Sequence, residues 1–164
     1  MKPDYKLVAK TKYTHLTPDL AAALWQECYK KFYPPKQLDA LVQRLQSAEA
    51  IEEDIDGQAN YFVVQLGGKP IGYFAWKMEN TALCLMGIYL KPEYRGKALG
   101  QGVLSSCERL ARAEGKGRVF CAVPTRSLPV IQFFKAQGYR PVGPADQTVE
   151  GILLEQTEME RILR

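Results

Sequence analysis

LCLMGIYLKPEYRGKALGQGVL, residues 83–104, passes from an apolar run through a short basic loop into a segment opened by two glycines. The apolar part reads as a strand and the part from Leu99 as a helix. Arg95-Gly96-Lys97-Ala98-Leu99-Gly100 sets two cations and two glycines at the predicted helix start. A helix N-terminus exposes backbone N–H groups that have no intrahelical acceptor, and it carries the positive end of the helix dipole. Glycine lets an anion approach such a backbone closely. The physical reading is a cradle for a pyrophosphate.

Spacing excludes two common cradles. A P-loop requires G-x-x-x-x-G-K-[ST], whereas Gly100 is followed by Gln101-Gly102. A dinucleotide fingerprint requires G-x-G-x-x-G and an acid about 20 residues further on. Ser105 stands where the third glycine belongs, and Arg118–Cys121 supplies no acid. What remains is Arg-x-x-x-x-Gly-x-Gly after a strand ending in Lys91-Pro92-Glu93-Tyr94. It resembles the acetyl-CoA loop of the GNAT acetyltransferase superfamily, [QR]-x-x-G-x-[GA]. Arg95 and Gly100 match, and Ala98 replaces the middle glycine. Downstream, Val130–Tyr139 (VIQFFKAQGY) resembles the superfamily segment N-x-x-A-I-x-F-Y-x-x-x-G-F, with Ser127 at the Asn position and Phe134 at the Tyr position. The resemblance runs over residues 60–163. Ile88-Tyr89-Leu90 and the tail Gly151…Met159-Glu160 look most like the polyamine N-acetyltransferase branch.

The resemblance implies a single GNAT-like α/β domain over residues 1–164, with a mixed central sheet splayed between its fourth and fifth strands and flanked by helices. It implies direct transfer of an acetyl group from acetyl-CoA to an amine, with a small cationic amine or polyamine as acceptor. Ile88, Tyr89 and Leu90 would take the pantetheine arm along the strand. Arg95, Gly96, Lys97, Ala98, Leu99, Gly100, Gln101 and Gly102 would hold the pyrophosphate, and Ser127 and Phe134 would face the cofactor from the next helix. A backbone N–H of the same strand suits the developing oxyanion. The attacking amine must lose a proton, and the departing thiolate takes one, normally from the family tyrosine. Phe134 has no proton to give, so the catalytic acid is open among Tyr139, Tyr89, Tyr73, Cys121 and Thr125. Glu27, Glu52 and Glu53 are candidate bases. Two alternatives stand beside this reading: an acyl-CoA-binding protein with little catalysis, and a protein or peptide N-acetyltransferase. Family habit adds a homodimer.

Composition fits a single globular domain. The chain has 164 residues, 46% hydrophobic and 24% charged, enough for a full core. No apolar run approaches the ~20 residues of a membrane span, and MKPDYKLVAK lacks a signal-peptide core, so a cytoplasmic protein is expected. A net charge of +4 is too mild to argue for nucleic acid. Residues 91–118 hold Lys91, Arg95, Lys97, Arg109, Arg112, Lys116 and Arg118 against Glu93, Glu108 and Glu114, which suits a polyanionic cofactor. Glu49, Glu52, Glu53, Asp54 and Asp56 crowd one segment. That run reads either as a solvated helix end or as an attraction for a cationic acceptor. Cys28, Cys84, Cys107 and Cys121 lack CxxC spacing and read as buried free thiols. His15 lies far from them in sequence, so no metal is expected.

Along the chain, Leu7–Tyr13 is expected as a strand. Thr17-Pro18 opens a helix to about Phe32, with Leu20, Ala23, Leu24, Glu27 and Cys28 at helical spacing. Leu38, Leu41, Val42 and Leu45 mark a second helix. Asn60–Leu66 and Pro70–Met78 form a hairpin through Gly67-Gly68, and Thr81–Leu90 follows as a strand. The helix Leu99–Glu114 buries Leu99, Val103, Cys107 and Leu110. Arg118–Val123 is a strand, and a helix capped by Ser127 runs to Gln137. Tyr139–Val142 and Ile152–Ile162 close the sheet. The order β-α-α-β-β-β-α-β-α-β-β argues a mixed α/β sheet.

Overall fold

A computed structural model describes residues 2–8 and 18–164. The elements are β1 (Asp4–Leu7), α1 (Pro18–Tyr29), α2 (Pro35–Leu45), α3 (Ala48–Asp56), β2 (Asn60–Leu66), β3 (Lys69–Met78), β4 (Ala82–Leu90), α4 (Leu99–Ala113), β5 (Arg118–Pro124), α5 (Leu128–Ala136), β6 (Arg140–Pro144), β7 (Gln147–Val149), β8 (Ile152–Leu154) and β9 (Gln156–Ile162). A single 3₁₀ turn, Pro92–Tyr94, joins β4 to the loop before α4. Seven strands form one sheet in the order β1-β2-β3-β4-β5-β9-β6, and β7 pairs with β8 as a separate hairpin. Neighbours are antiparallel except β4 and β5, which run parallel.

Three expectations are corrected. The first strand starts earlier, at Asp4, while residues 9–13 of the expected strand lie outside the described residues, as does His15. The acidic run is a whole helix, α3, whose first turn is capped by Ser47 Oγ accepting from the Ala50 N–H at 3.2 Å. Its apolar side is short, Ala50 and Ile51 being its buried residues, so the charges dominated the pattern. The expected closing strand Ile152–Ile162 is broken at Glu155 into β8 and β9. The break lets Glu150 and Gly151, both at positive φ, turn the β7–β8 hairpin.

Helices cover both faces of the sheet. On one face α4 and α5 pack over β2–β5 and β9, around Phe74, Leu83, Leu85, Val103, Cys107, Val119, Val123, Phe134 and Met159. On the other, α1 and α3 cover Tyr61, Val63, Tyr73 and Ala75, with α2 and the β7–β8 hairpin beyond. In α1 the buried stripe is Ala21, Leu24, Trp25 and Tyr29, while Ala23 is exposed. Trp25 and Tyr29 stack at 4.1 Å and take the packing that spacing alone assigned to Ala23 and Cys28. In α4, Glu108 is buried where Leu110 is half-exposed.

The register of β4 makes the splay. β4 and β5 are paired from Ala82–Arg118 to Leu85–Cys121 and no further. β4 continues to Leu90 along β3, and β5 continues to Pro124 along β9. At the point of divergence Trp76 faces Leu85 while Ala75 faces Gly87, so Met86 is an extra residue, a β-bulge. A bulge bends its strand and increases local twist. It also resets the alternation: Leu83 and Leu85 point to the α4–α5 face, and so do Ile88 and Leu90, three residues on from Leu85 rather than two.

Candidate active site

The open edge of β4 can be read from one bond. The Lys91 N–H donates to Ile71 O at 2.9 Å, so the opposed pairs 71/91, 73/89 and 75/87 are the hydrogen-bonded ones of the antiparallel ladder. Gly87 and Tyr89 therefore spend their backbone on β3. Ile88 and Leu90 turn theirs the other way, into the gap that β5 has left. Among the described residues no backbone group meets Ile88 N–H, Ile88 C=O or Leu90 N–H there. Leu90 O accepts from Arg95 Nε at 3.3 Å.

The loop at the end of β4 brings helix α4 to the mouth of the same gap. Gly96 (φ 74) and Ala98 (φ 63) are both left-handed. Space for a Cβ on Gly96 is open to 4 Å. The first intrahelical bond of α4 is Gly102 N–H to Ala98 O at 3.0 Å, and no side chain caps the helix. The amides of Leu99, Gly100 and Gln101 thus have no intrahelical acceptor. Lys97 is exposed beside them and lies 5.6 Å from the Tyr94 ring centroid. Gly100 has a second reason to be small: a Cβ there would sit 3.0 Å from Phe133 Cζ, so α4 and α5 touch at this glycine.

Arg95 has a protein partner in addition to the anion contact expected of it. It reaches back to Leu90 O and lies near Glu27 and Cys28 of α1: it adds to the lowering of Glu27 led by the Lys30 hydrogen bond and slightly offsets the rise that burial gives Cys28. It fastens the end of β4 to the loop. Ser127 occupies the N-cap position of α5, but its side chain makes no capping bond. Pro129 at the second helical position removes one of the N–H groups that such a cap would serve.

Phe134 is buried, 4% exposed, with its ring edge-on to Phe133 (5.4 Å) and Tyr139 (5.3 Å). Tyr139 does not replace the missing hydroxyl. Its O–H donates to Glu108 Oε2 at 2.8 Å, and Glu108 also accepts from Arg161 at 2.8 Å. Burial, followed by the bond to Glu108, pushes the Tyr139 phenol well above its ordinary range. Tyr73 donates to Gln46, and Thr125 shares its hydroxyl with Thr157 at 2.8 Å. The Cys121 thiol points at Ala122 O and is raised by burial. Glu27 is paired with Lys30 at 2.8 Å, and that hydrogen bond lowers its pKa, away from the range of a general base. Glu52 and Glu53 lie on α3, whose Ile51 packs over β2 and β3 rather than over the splay.

Sequence spacing missed a tie between the α1–α2 turn and the segment that follows β5. Arg126, after β5, donates to Phe32 O at 3.0 Å and lies 5.1 Å and 5.7 Å from the Phe32 and Tyr33 rings. Tyr33 donates to Leu153 O, and Gln156 donates to the Tyr29 hydroxyl. The α1–α2 turn is thereby tied to β5, β8 and β9 across the diverging strands. Partners 94 to 127 residues apart leave no local signal. Elsewhere, Gln43, Arg44, Glu49, Glu53 and Glu150 line a shallow depression of about 560 Å³. Arg44 stands 3.9 Å from both Glu53 and Glu150.

Cys28 and Cys84 are half-buried rather than buried, and all four thiols are free. No described helix is long and apolar enough to cross a membrane. Among the described residues no three His, Cys, Asp or Glu side chains converge as a metal site.

A parallel β4–β5 pair that splays past a bulge, with an uncapped helix at its mouth, defines an acyl-CoA-type transferase scaffold. The acetyltransferase (GNAT) family model matches residues 20–139, and the chain belongs to that family, whose members use acetyl-CoA as co-substrate. The uncharacterized N-acetyltransferase YjcF of Bacillus subtilis is 25% identical over 121 residues, 74% of this chain and 84% of that protein. Spermidine N(1)-acetyltransferase of Thermoplasma acidophilum is 26% identical over 127 residues, 74% of this chain and 79% of its own. In structure, the PaiA N-acetyltransferase of T. acidophilum, crystallised with coenzyme A, superposes with a TM-score of 0.79 at 18% identity, covering 99% of this chain and 100% of the other.

Proposed function

We propose that the chain transfers an acetyl group directly from acetyl-CoA to the amine of a small cationic acceptor. One observation carries the reading: the Ile88 backbone, the Leu90 N–H and the amides of Leu99, Gly100 and Gln101, which have no acceptor among the described residues, open onto the same gap. An extended ligand with amides along one arm and a diphosphate at its end matches that pair of features. The residues therefore fit coenzyme A, which supplies the acetyl thioester. The Ile88 and Leu90 backbone would hold the amide arm as an added strand. The α4 amides, with Gly96 leaving room and Lys97 adding charge, would hold the diphosphate. A cationic acceptor is supported by likeness to a spermidine acetyltransferase.

Phe134 favours a second reading, in which the chain binds acyl-CoA with little transfer. Purified protein with acetyl-CoA and a thiol-detecting dye, screened over polyamines, monoamines and peptides, separates the two. Release of CoA dependent on a polyamine supports the proposal. Binding without release for every acceptor supports the second reading.

A further inference from the structure

The proton missing at Phe134 has another source in the same gap. Tyr29, Tyr33, Tyr61, Tyr73 and Tyr139 each hold a hydrogen bond to another residue. The Tyr89 hydroxyl has no partner among the described residues, and no buried side-chain polar atom there is left unsatisfied, so it touches solvent-accessible space. Its ring folds back along β4 over Gly87. A Cβ on Gly87 would overlap Tyr89 Oη and lie 2.5 Å from Cζ. Glycine at 87 is therefore what lets the hydroxyl sit there. Gly87 is two residues past Leu85, where β4 and β5 part. A ligand whose diphosphate rests at α4 and whose arm runs back along Leu90 and Ile88 ends at this apex. The ring is braced against Tyr73, with centroids 4.8 Å apart. Burial first, with Tyr29, Tyr73, Cys28 and Cys121 adding to it, raises the phenol's pKa, so the proton is in place at neutral pH.

We propose that Tyr89 gives its phenolic proton to the departing thiolate of CoA. The acceptor nitrogen bonds to the acetyl carbon, the carbon–sulfur bond breaks, and its electron pair goes to sulfur. The Tyr89 proton passes to that sulfur and yields the free thiol. Solvent takes the proton that the amine loses and returns one to the phenolate. This assignment rests on the acetyl-transfer reading above.

The test uses the full chain as wild type and as Tyr89→Phe. Among the described residues the hydroxyl bonds to nothing, so the variant should melt within about 1 °C of wild type. Ultraviolet difference spectra between complexes with CoA and with desulfo-CoA follow ionisation of the bound thiol. That thiol is expected to titrate about one pH unit higher in Tyr89→Phe, because a donor to its thiolate is gone, while calorimetry finds CoA affinity unchanged. With any acceptor used by the wild type, kcat should fall by about 10²-fold or more, with the acceptor KM retained. Superimposable thiol titrations, or an unchanged kcat, overturn the assignment. The spectral arm decides this without an acceptor. Absence of CoA binding in the wild type would instead overturn the transfer reading and this inference with it.

Discussion

Replacing Ala98 by glycine tests the loop that closes the mouth of the gap. Ala98 holds φ 63 and ψ 9 immediately before α4, a left-handed position with a Cβ. For an L-residue that conformation costs about 1–2 kcal/mol. Glycine removes the cost but returns freedom to the unfolded chain, offsetting about 0.4–1 kcal/mol. The net expectation for Ala98→Gly is a gain of about 0.5–1 kcal/mol. For a chain of this size that raises Tm by about 1–4 °C, measured by thermal denaturation monitored by circular dichroism. Glycine adopts the same φ, so the α4 amides keep their direction and calorimetric affinity for CoA should change by less than about threefold. Ala98→Val works in the opposite direction, because a β-branched residue is a severe outlier at positive φ. A lower Tm for Ala98→Gly together with an unaffected Ala98→Val would show that the loop does not hold this conformation.

Gly100→Glu pushes a Cβ against Phe133 and a carboxylate among the unpaired amides. Titration with CoA should give no heat, and retained affinity would remove this loop from the site. Tyr139→Phe deletes the bond to buried Glu108 and should cost about 1.5–3 kcal/mol, a fall of about 3–12 °C in Tm. Its kcat should stay at the wild-type level; a large loss with CoA binding intact would return Tyr139 to the reaction. Burial pushes Cys28 and Cys84 up to about 11 and Cys107 to about 12. Unfolded thiols ionise first, so stability is full below about pH 9 and falls as pH rises toward the folded values. Urea denaturation across pH 8–11 (about 25 °C) checks the sign, and stability rising over that range contradicts the burial.

The strand, loop and helix start on the candidate cofactor side were legible because they are local. The strand, basic loop and helix start of residues 83–104 are contiguous, and their chemistry follows from residue types at short spacing. The helix α5 was legible for the same reason, through Pro129 and Gly138. What was hidden turns on which partner a side chain holds, near or far in the chain. Whether Tyr139 is free or held depends on Glu108 and Arg161, 31 residues before and 22 after it. Spacing also could not show that the Arg95 Nε bonds to Leu90 O. The helix α3 was obscured because nine residues with five carboxylates resemble a solvated run until Ser47 is recognised as a cap.

The bulge at Met86 joins these two kinds of information. No residue type in MGIY announces it, since an extra residue exists only relative to the register of β3. Yet its consequences are chemical. Without it, Ile88 would exchange faces with Tyr89, and the free backbone of β4 would belong to Gly87 and Tyr89. With it, the apolar side chains of Ile88 and Leu90 remain on the α4–α5 face, their backbone turns into the gap, and the Tyr89 ring stands on the α1 face over Gly87. Phe134 approaches the core from α5, on the opposite face. A proton donor moved from position 134 to position 89 therefore crosses the sheet. It would reach the leaving sulfur from the side on which α1 and the Arg126-tied turn stand. Donor and acceptor sites would then share one wall, so changes to Tyr29 or Tyr33 should alter the choice of amine and kcat together.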